Sequence, residues 1–338
     1  MKPPGLSKEF VVIGENLHTT RVVLRNGKLM GTAPGGGEAV RYTTVEGETR
    51  WLGIPEDVKK GQDYEEGRVK HVMIAVRRAM AGDEEGMTYL RTLVEKQARA
   101  GADFLDLNVD EISLKHVEQV AAMEWLVRTV EPLSPVPLAI DSSNPDTIRA
   151  GIEACAGKPL LNSASLERIE TLDVAREKQL PVVVTAAGES GMPRNAEERV
   201  ANASRMVEAA LAQGIPLRDQ YVDSLVFPIS VDGQFVIHCL DAIRALREKF
   251  GAEIHITGGL SNVSFGLPCR KLINEVFLNL AVEAGADSGI VDPVANDLTR
   301  VFVADKESPR YQLALDMLMG RDRNCKNFLR AYRKGELG

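Results

Sequence analysis

A chain of 338 residues, 44% of them hydrophobic, is long enough to bury a full core, and its net charge is −7 with a pI near 5.5. That acidity, with no basic stripe, excludes nucleic acid and anionic membrane surfaces as expected partners, because a polyanion needs clustered cations to hold it. Cys155, Cys239, Cys269 and Cys325 are far apart and form no Cys-x-x-Cys pair, which argues for reduced thiols rather than a disulfide framework or a cysteine metal site.

Short β-branched runs alternate with amphipathic helical stretches along the whole chain, the pattern of a parallel sheet wound with crossover helices. The N-terminal stretch MKPPGLSKEF has no apolar core ending in a small-residue cleavage site, and no run reaches the ~20 apolar residues of a membrane span, so a cytoplasmic location is expected. Strands are predicted at Phe10 to Glu15, Asp103 to Asn108, Val136 to Asp141, Leu160 to Ser163, Val182 to Ala186, Tyr221 to Leu225, Glu253 to Thr257 and Ser288 to Val291. Helical periodicity follows at Glu84 to Ala100, Leu114 to Val130, Pro145 to Cys155, Glu197 to Gln213, Phe235 to Phe250 and Arg270 to Ala284. The similar segments GADFLDL, GAEIHIT and GADSGIV each read as a helix-ending glycine feeding a strand. Eight such units, with no GxGxxG or GxxxxGK[ST] loop, point to an α/β fold of the (β/α)8 TIM-barrel type in one domain over residues 1–338.

One segment breaks the rhythm. About seventy residues separate the first strand from the first long helix, where a βα loop has roughly two to six. Within this insertion, 19–68, VVLRNGKLM reads as a β-hairpin on Asn26-Gly27, and AVRYTTVEGETRWL as a second one turning at Glu46 to Glu48. Thr32 to Glu38 reads as a flexible joint between them, and Val69 to Met80 as a short helix leading back. Because it follows a strand, the insertion belongs on the C-terminal face, as a lid or as interface hairpins.

Polar residues gather where otherwise apolar strands end: Glu15 and Asn16, Asp106 and Asn108, Asp141 and Ser142, Asn162 and Ser163, Asp223, and Asp292. Burying them is costly unless something pairs them. In a barrel these ends converge on one mouth, and a ring of carboxylates and amides suits a ligand rich in N–H donors, such as a pterin. Asp110 and Ser143 read equally well as helix caps.

The motifs IGENLH (Ile13 to His18), FLDLNVD (Phe104 to Asp110), AMEWLV (Ala122 to Val127), LAIDSSN (Leu138 to Asn144), LLNSAS (Leu160 to Ser165), YVDSLVFP (Tyr221 to Pro228) and GGLSNVSFGLP (Gly258 to Pro268) carry a resemblance. In order and spacing the chain resembles the methyltetrahydrofolate:corrinoid methyltransferases and the folate module of cobalamin-dependent methionine synthase, apart from the insertion. The resemblance implies a methyltransferase acting between N5 of tetrahydrofolate (or 5-methyltetrahydrofolate) and the cobalt of cobalamin carried by a separate corrinoid protein. It implies pterin-binding roles for Asp141, Asn162 and Asp223, and positions near the same pocket for Glu15, Asp106 and Asn108. Asn262 in LSNVS is the residue it implies at pterin N5, with a catalytic part, because a tertiary amine leaves only when a hydrogen bond or proton meets its developing charge. The segment TAAGESGMP (Thr185 to Pro193) matches the family's Gly-x-Pro loop only loosely, and a homodimer is implied. None of His18, His71, His116, His238 or His255 follows an aspartate by two residues, so the Asp-x-His-x-x-Gly cobalamin motif is not in this chain.

Three alternatives remain open on the sequence. A dihydropteroate synthase-like enzyme would need an anion site for pyrophosphate, whereas NVDEIS follows the second strand and PVANDLTRVF lacks the expected basic set. A metal-dependent barrel lyase or aldolase could start from Glu15 and His18, but with neither an HxH nor a closely spaced carboxylate pair no metal is expected. The third is a non-catalytic pterin-binding subunit.

Overall fold

The computed structural model describes residue 3 and residues 9–337. Most of MKPPGLSKEF, on which the expected lack of a leader rests, lies outside the described residues. Eight strands form one sheet: β1 (Val11–His18), β7 (Phe104–Asn108), β8 (Leu138–Asp141), β9 (Leu160–Ala164), β10 (Val182–Thr185), β11 (Gln220–Asp223), β12 (His255–Thr257) and β13 (Ser288–Val291). Their order is β12-β11-β10-β9-β8-β7-β1-β13, and the parallel bridge Gly259↔Ile290, two residues past the end of β12, joins that end to β13, so the (β/α)8 barrel is nearly closed. All eight predicted strands are present. The largest difference is at β1, which runs three residues beyond Glu15 and so takes His18 into the sheet.

By contact the chain divides into two compact units, residues 14–162 and residues 163–337 with those up to Ile13. In the first, α1 (Glu56–Lys59), α2 (Gln62–Glu65), α3 (His71–Met80), α4 (Glu84–Arg99), α5 (His116–Val130) and α6 (Pro145–Ala154) accompany β7, β8 and part of β9. Helix starts follow the expected chemistry: Asp83 accepts the Gly86 N–H at 2.9 Å, and Asn144, followed by Pro145, accepts that of Asp146 at 2.9 Å. Register pairs Asn108 with Asp141 and Asp141 with Asn162, so these three side chains stand in one row on one face. Leu107, Ile140 and Leu161 take the other face and are fully buried, each adding about 1.5–3 kcal/mol of apolar stabilisation.

The insertion differs from its sequence reading. The strands β2 (Val23–Leu24) and β3 (Met30–Thr32) do not pair with each other; β2 pairs with β6 (Arg68–Val69). The Asn26-Gly27 hairpin is therefore corrected: the Gly27 N–H folds back on Leu24 O at 2.8 Å, making a local turn in place of a two-strand ladder. The joint at Thr32 to Glu38 is itself a hairpin turn, because β3 pairs with β4 (Glu38–Thr43) up to Thr32↔Glu38. Gly36 and Gly37, at φ 87° and 86°, supply the left-handed backbone that this turn requires. The second hairpin stands as read, with β4 against β5 (Thr49–Gly53) and Thr43 opposite Thr49. Val40 and Leu52 are at most 1% exposed, and Tyr42 meets Tyr89 of α4 edge-on at 4.6 Å, so the three-stranded sheet shares the core of its unit. The short helix begins at His71, since Val69 belongs to β6.

The other unit holds α7 (Thr171–Lys178), α8 (Ala196–Ala212), α9 (Phe235–Phe250), α10 (Arg270–Ala284), α11 (Leu298–Val301), α12 (Pro309–Leu318) and α13 (Lys326–Arg333) with β10 to β13. Thr185 pairs with Asp223 and Asp223 with Thr257, a second row on one face, while Val184, Val222 and Ile256 are fully buried on the other. The glycine repeats end helices as read: Gly101, Gly251 and Gly285 have φ of 85°, 73° and 117°.

Candidate functional site

Among residues 14–162, hydrogen bonding decides which polar atoms remain open to a ligand. Asp106 is completely buried at the β7 core, and its carboxylate can only accept. It takes the His18 Nε2–H at 3.0 Å and the Asn162 Nδ2–H at 3.2 Å. Asn162 must therefore turn its amide nitrogen inwards, which leaves its Oδ1 as an acceptor with no partner among the described residues. Asn108 donates Nδ2–H to Asp141 Oδ2 at 2.9 Å and accepts the Asp110 N–H at 3.0 Å, so both ends of its amide are engaged. Asp141 keeps Oδ1 open, with 27% of its side chain exposed. The row thus presents two acceptors, Asp141 Oδ1 and Asn162 Oδ1, backed by Asp106 and Asn108.

Glu15 is neutralised by Arg21 Nη1 at 3.1 Å, a cation supplied by the insertion. Asp110 does not cap α5; it accepts the Ser142 hydroxyl and, at 2.8 Å, the Ser143 N–H, tying the loop after β7 to the loop after β8. Burial would push the His18 imidazole down, but the charge and hydrogen bond of Asp106, with Asp141 and Glu15 adding, raise it to about 9. Burial and the neighbouring Asp106 raise the Asp141 carboxyl, opposed by His18 and Asn108, and its partial exposure tempers that rise.

His18, Asp106 and Asp141 bring three potential ligand atoms within 4.8 Å of one another, so folding does create the close carboxylate pair that the linear sequence does not show. His18 Nε2 is engaged with Asp106, so a cation would have to displace that hydrogen bond and its proton before the ring could ligate it.

In the other unit the backbone does most of the positioning. Asp223 Oδ1 accepts the Leu225 N–H at 2.7 Å, closing a turn in which Leu225 takes φ 60°, a strained value for a residue other than glycine. Arg199 of α8, fully buried, holds that turn from behind: Nε donates to Ser224 O at 3.1 Å, Nη1 to Asn195 O at 3.0 Å, and the guanidinium lies 4.8 Å over the Phe227 ring. Burial raises the Asp223 carboxyl to about 6, against the Leu225 N–H and the Arg199 charge.

After β12 come two glycines, each lying under a site residue. A Cβ on Gly258 would stand 3.3 Å from Asp223 Oδ1, and one on Gly259 would stand 2.8 Å from Asn262 Nδ2. Asn262 itself is exposed on the 3₁₀ turn Leu260–Ser264, which Arg270 braces through Ser264 Oγ at 3.0 Å and Ser261 O at 2.9 Å. Asp292 serves its own loop, accepting the Ala295 N–H at 2.9 Å.

The site residues named from the sequence therefore fall in two groups, Glu15, Asp106, Asn108, Asp141 and Asn162 in one unit, and Asp223 and Asn262 in the other. Sequence reasoning missed Arg199, whose signal is a cation at a core-facing position of an amphipathic helix, and gave His18 only a provisional metal role.

Residues 82–292 match the family described as pterin binding enzyme. A methylcorrinoid:tetrahydrofolate methyltransferase from Eubacterium limosum is 30% identical over 264 residues, covering 76% of this chain and 91% of that protein. The methionine synthase of Mycobacterium leprae is 31% identical over 68% of this chain, which spans only 20% of that longer protein. Among solved structures, dihydropteroate synthase from Stenotrophomonas maltophilia superposes with a TM-score of 0.54 at 20% identity, covering 65% of this chain and 87% of that one. The enzyme from Xanthomonas albilineans does so with a TM-score of 0.51 at 22% identity over 64% and 84%. These two likenesses speak for the barrel alone. The family match covers more than half of the chain and the Eubacterium limosum relative is matched over nearly its whole length, so the chain belongs to the family of pterin-binding enzymes.

Proposed function

We propose that this protein is a methyltransferase that moves a methyl group between N5 of tetrahydrofolate and the cobalt of a corrinoid carried by a separate protein. The observation that carries the reading is the pair of open acceptors, Asp141 Oδ1 and Asn162 Oδ1, held by residues whose own hydrogen bonds are satisfied. Such a pair receives N–H donors, which the pterin ring has on its amino group and ring nitrogens. The Eubacterium limosum relative, named for both a methylcorrinoid and tetrahydrofolate, supports the choice of reaction over other pterin chemistry.

In this reading Asp141, Asn162 and Asp223 bind and orient the pterin. Asn262 donates its amide N–H where charge develops at N5, which stabilises the transition state without fixing a full charge in the pocket. Glu15, Asp106 and Asn108 hold the binding groups in place. The corrinoid supplies the cobalt that gives or takes the methyl group, so the chain itself needs no nucleophile. A homodimer and a cytoplasmic location belong to the same proposal.

The test is calorimetric titration with tetrahydrofolate and 5-methyltetrahydrofolate, followed by a methyl-transfer assay with free methylcobalamin as a surrogate donor. Micromolar folate binding, with turnover that Asn262→Ala lowers at least tenfold while binding persists, is the expected result. A protein that binds neither folate overturns the reading.

A further inference from the structure

We infer that His18 is a third ligand-contacting group of this site, presenting Nδ1 to the folate beside the acceptors of Asp141 and Asn162. The inference rests on the methyltransferase reading and adds a residue that the resemblance does not assign to the pocket.

Geometry carries the argument. β1 runs three residues past its predicted end, and that extension brings His18 beside β7. Its Nε2 is held by Asp106 Oδ2 at 3.0 Å and lies 4.0 Å from Asp141 Oδ2, so turning the ring away would take from the completely buried Asp106 one of its two side-chain donors. A ring pinned by one nitrogen presents the other. Nδ1 has no hydrogen-bond partner among the described residues and is not enclosed, since 13% of the side chain is exposed. A partly open polar atom on a ring whose other nitrogen is fixed beside Asp106 and Asp141 is placed as binding groups are placed. The charge of Asp106 and Asp141 keeps the ring protonated, so Nδ1–H is a donor.

The site then offers two acceptors and one donor, complementary to an edge with two N–H groups and a neighbouring lone pair. A tetrahydropterin, whose ring alternates N–H groups with lone-pair nitrogens and a carbonyl, has that composition. A ligand with only donors would leave Nδ1–H buried and unpaired, so His18 also selects against it.

The experiment is ¹H–¹⁵N NMR of the histidine side chains in the full-length protein, titrated with tetrahydrofolate. The chain has five histidines, and the spectrum of His18→Asn assigns the His18 signals. The expected result is a saturable shift of His18 Nδ1 with no comparable shift at His255, together with about tenfold weaker folate binding by His18→Asn. A merely supporting role would also weaken binding, but it would not move Nδ1. Saturating folate that leaves Nδ1 unmoved overturns the inference while the proposed function stands; a wild-type protein that binds no folate removes both.

Discussion

Asp141 and Asp223 each end a parallel strand of the same sheet, β8 and β11, yet the chain holds them by different means. Asp141 sits in a mesh of side chains, with Asn108 donating to one oxygen at 2.9 Å and His18, itself held by Asp106, 4.0 Å from the same oxygen, which leaves the other open. Asp223 is fixed by main chain, its own turn supplying the Leu225 N–H while Arg199 pins the carbonyls behind it. Asp287, which is completely buried, makes the contrast plain: Arg247 at 2.9 Å, His255 at 3.0 Å and the Ile256 N–H at 2.8 Å engage both its oxygens. An acid whose bonds are all made inside the protein supports the fold, whereas one with an oxygen left over can serve a ligand. The strained turn leans on one buried cation.

The largest expected effect tests that dependence. Arg199→Met removes the guanidinium donor from the Ser224 and Asn195 carbonyls, leaving Asn195 O only the backbone N–H of residue 199, and should cost about 3 kcal/mol of stability in urea denaturation. A loss under 1 kcal/mol would show that the turn holds itself. Asp141→Ala should leave the midpoint of denaturation nearly unchanged but weaken tetrahydrofolate binding about a hundredfold, as expected for losing charge-assisted bonds. Equal losses of affinity and stability would make Asp141 structural, like Asp287. Gly259→Ala places a methyl group 2.8 Å from Asn262 Nδ2. Because only a side-chain end must move, turnover should fall about tenfold with little change in folate affinity.

The smallest effect is one of pH. The Asp223 carboxyl is raised to about 6, above the ~3.9 of an unfolded chain, so its contribution to stability is full below pH 4 and is lost as pH rises through 6. Folate donors need the ionised form, and binding should therefore strengthen as pH rises through 6, by about tenfold between pH 5 and 7. Calorimetry across that range should show the step in the wild type and lose it in Asp223→Asn; a variant that keeps the full step would assign it to Asp141.

The insertion invites a related experiment. With Val40 and Leu52 buried and Tyr42 against Tyr89, deleting residues 23–49 should lower the stability of its unit as well as any activity. A deletion that leaves the denaturation midpoint unchanged while activity falls would favour a lid that the core does not need.

Much of this was legible in the linear chain for local reasons. Strand and helix periods, the caps at Asp83 and Asn144 and the glycines that end helices depend on neighbours within a few residues, so the eight βα units could be read off directly. The polar strand ends were legible too, because a carboxylate closing an apolar run stands out in any register. The pairing inside the insertion was not: β2 meets β6 across more than forty residues, and an Asn-Gly signal states where a turn is easy without saying which strands it joins. Nor was the division of labour among the polar residues. Sequence determined that Asp106, Asn108, Asp141 and Asn162 line up at strand ends; only the tertiary structure decided that Asp106 and Asn108 are spent on their neighbours while Asp141 and Asn162 keep an oxygen free. The reason is physical: a hydrogen bond depends on distances between residues far apart in the chain, and one bond made inward fixes which atom is left facing outward.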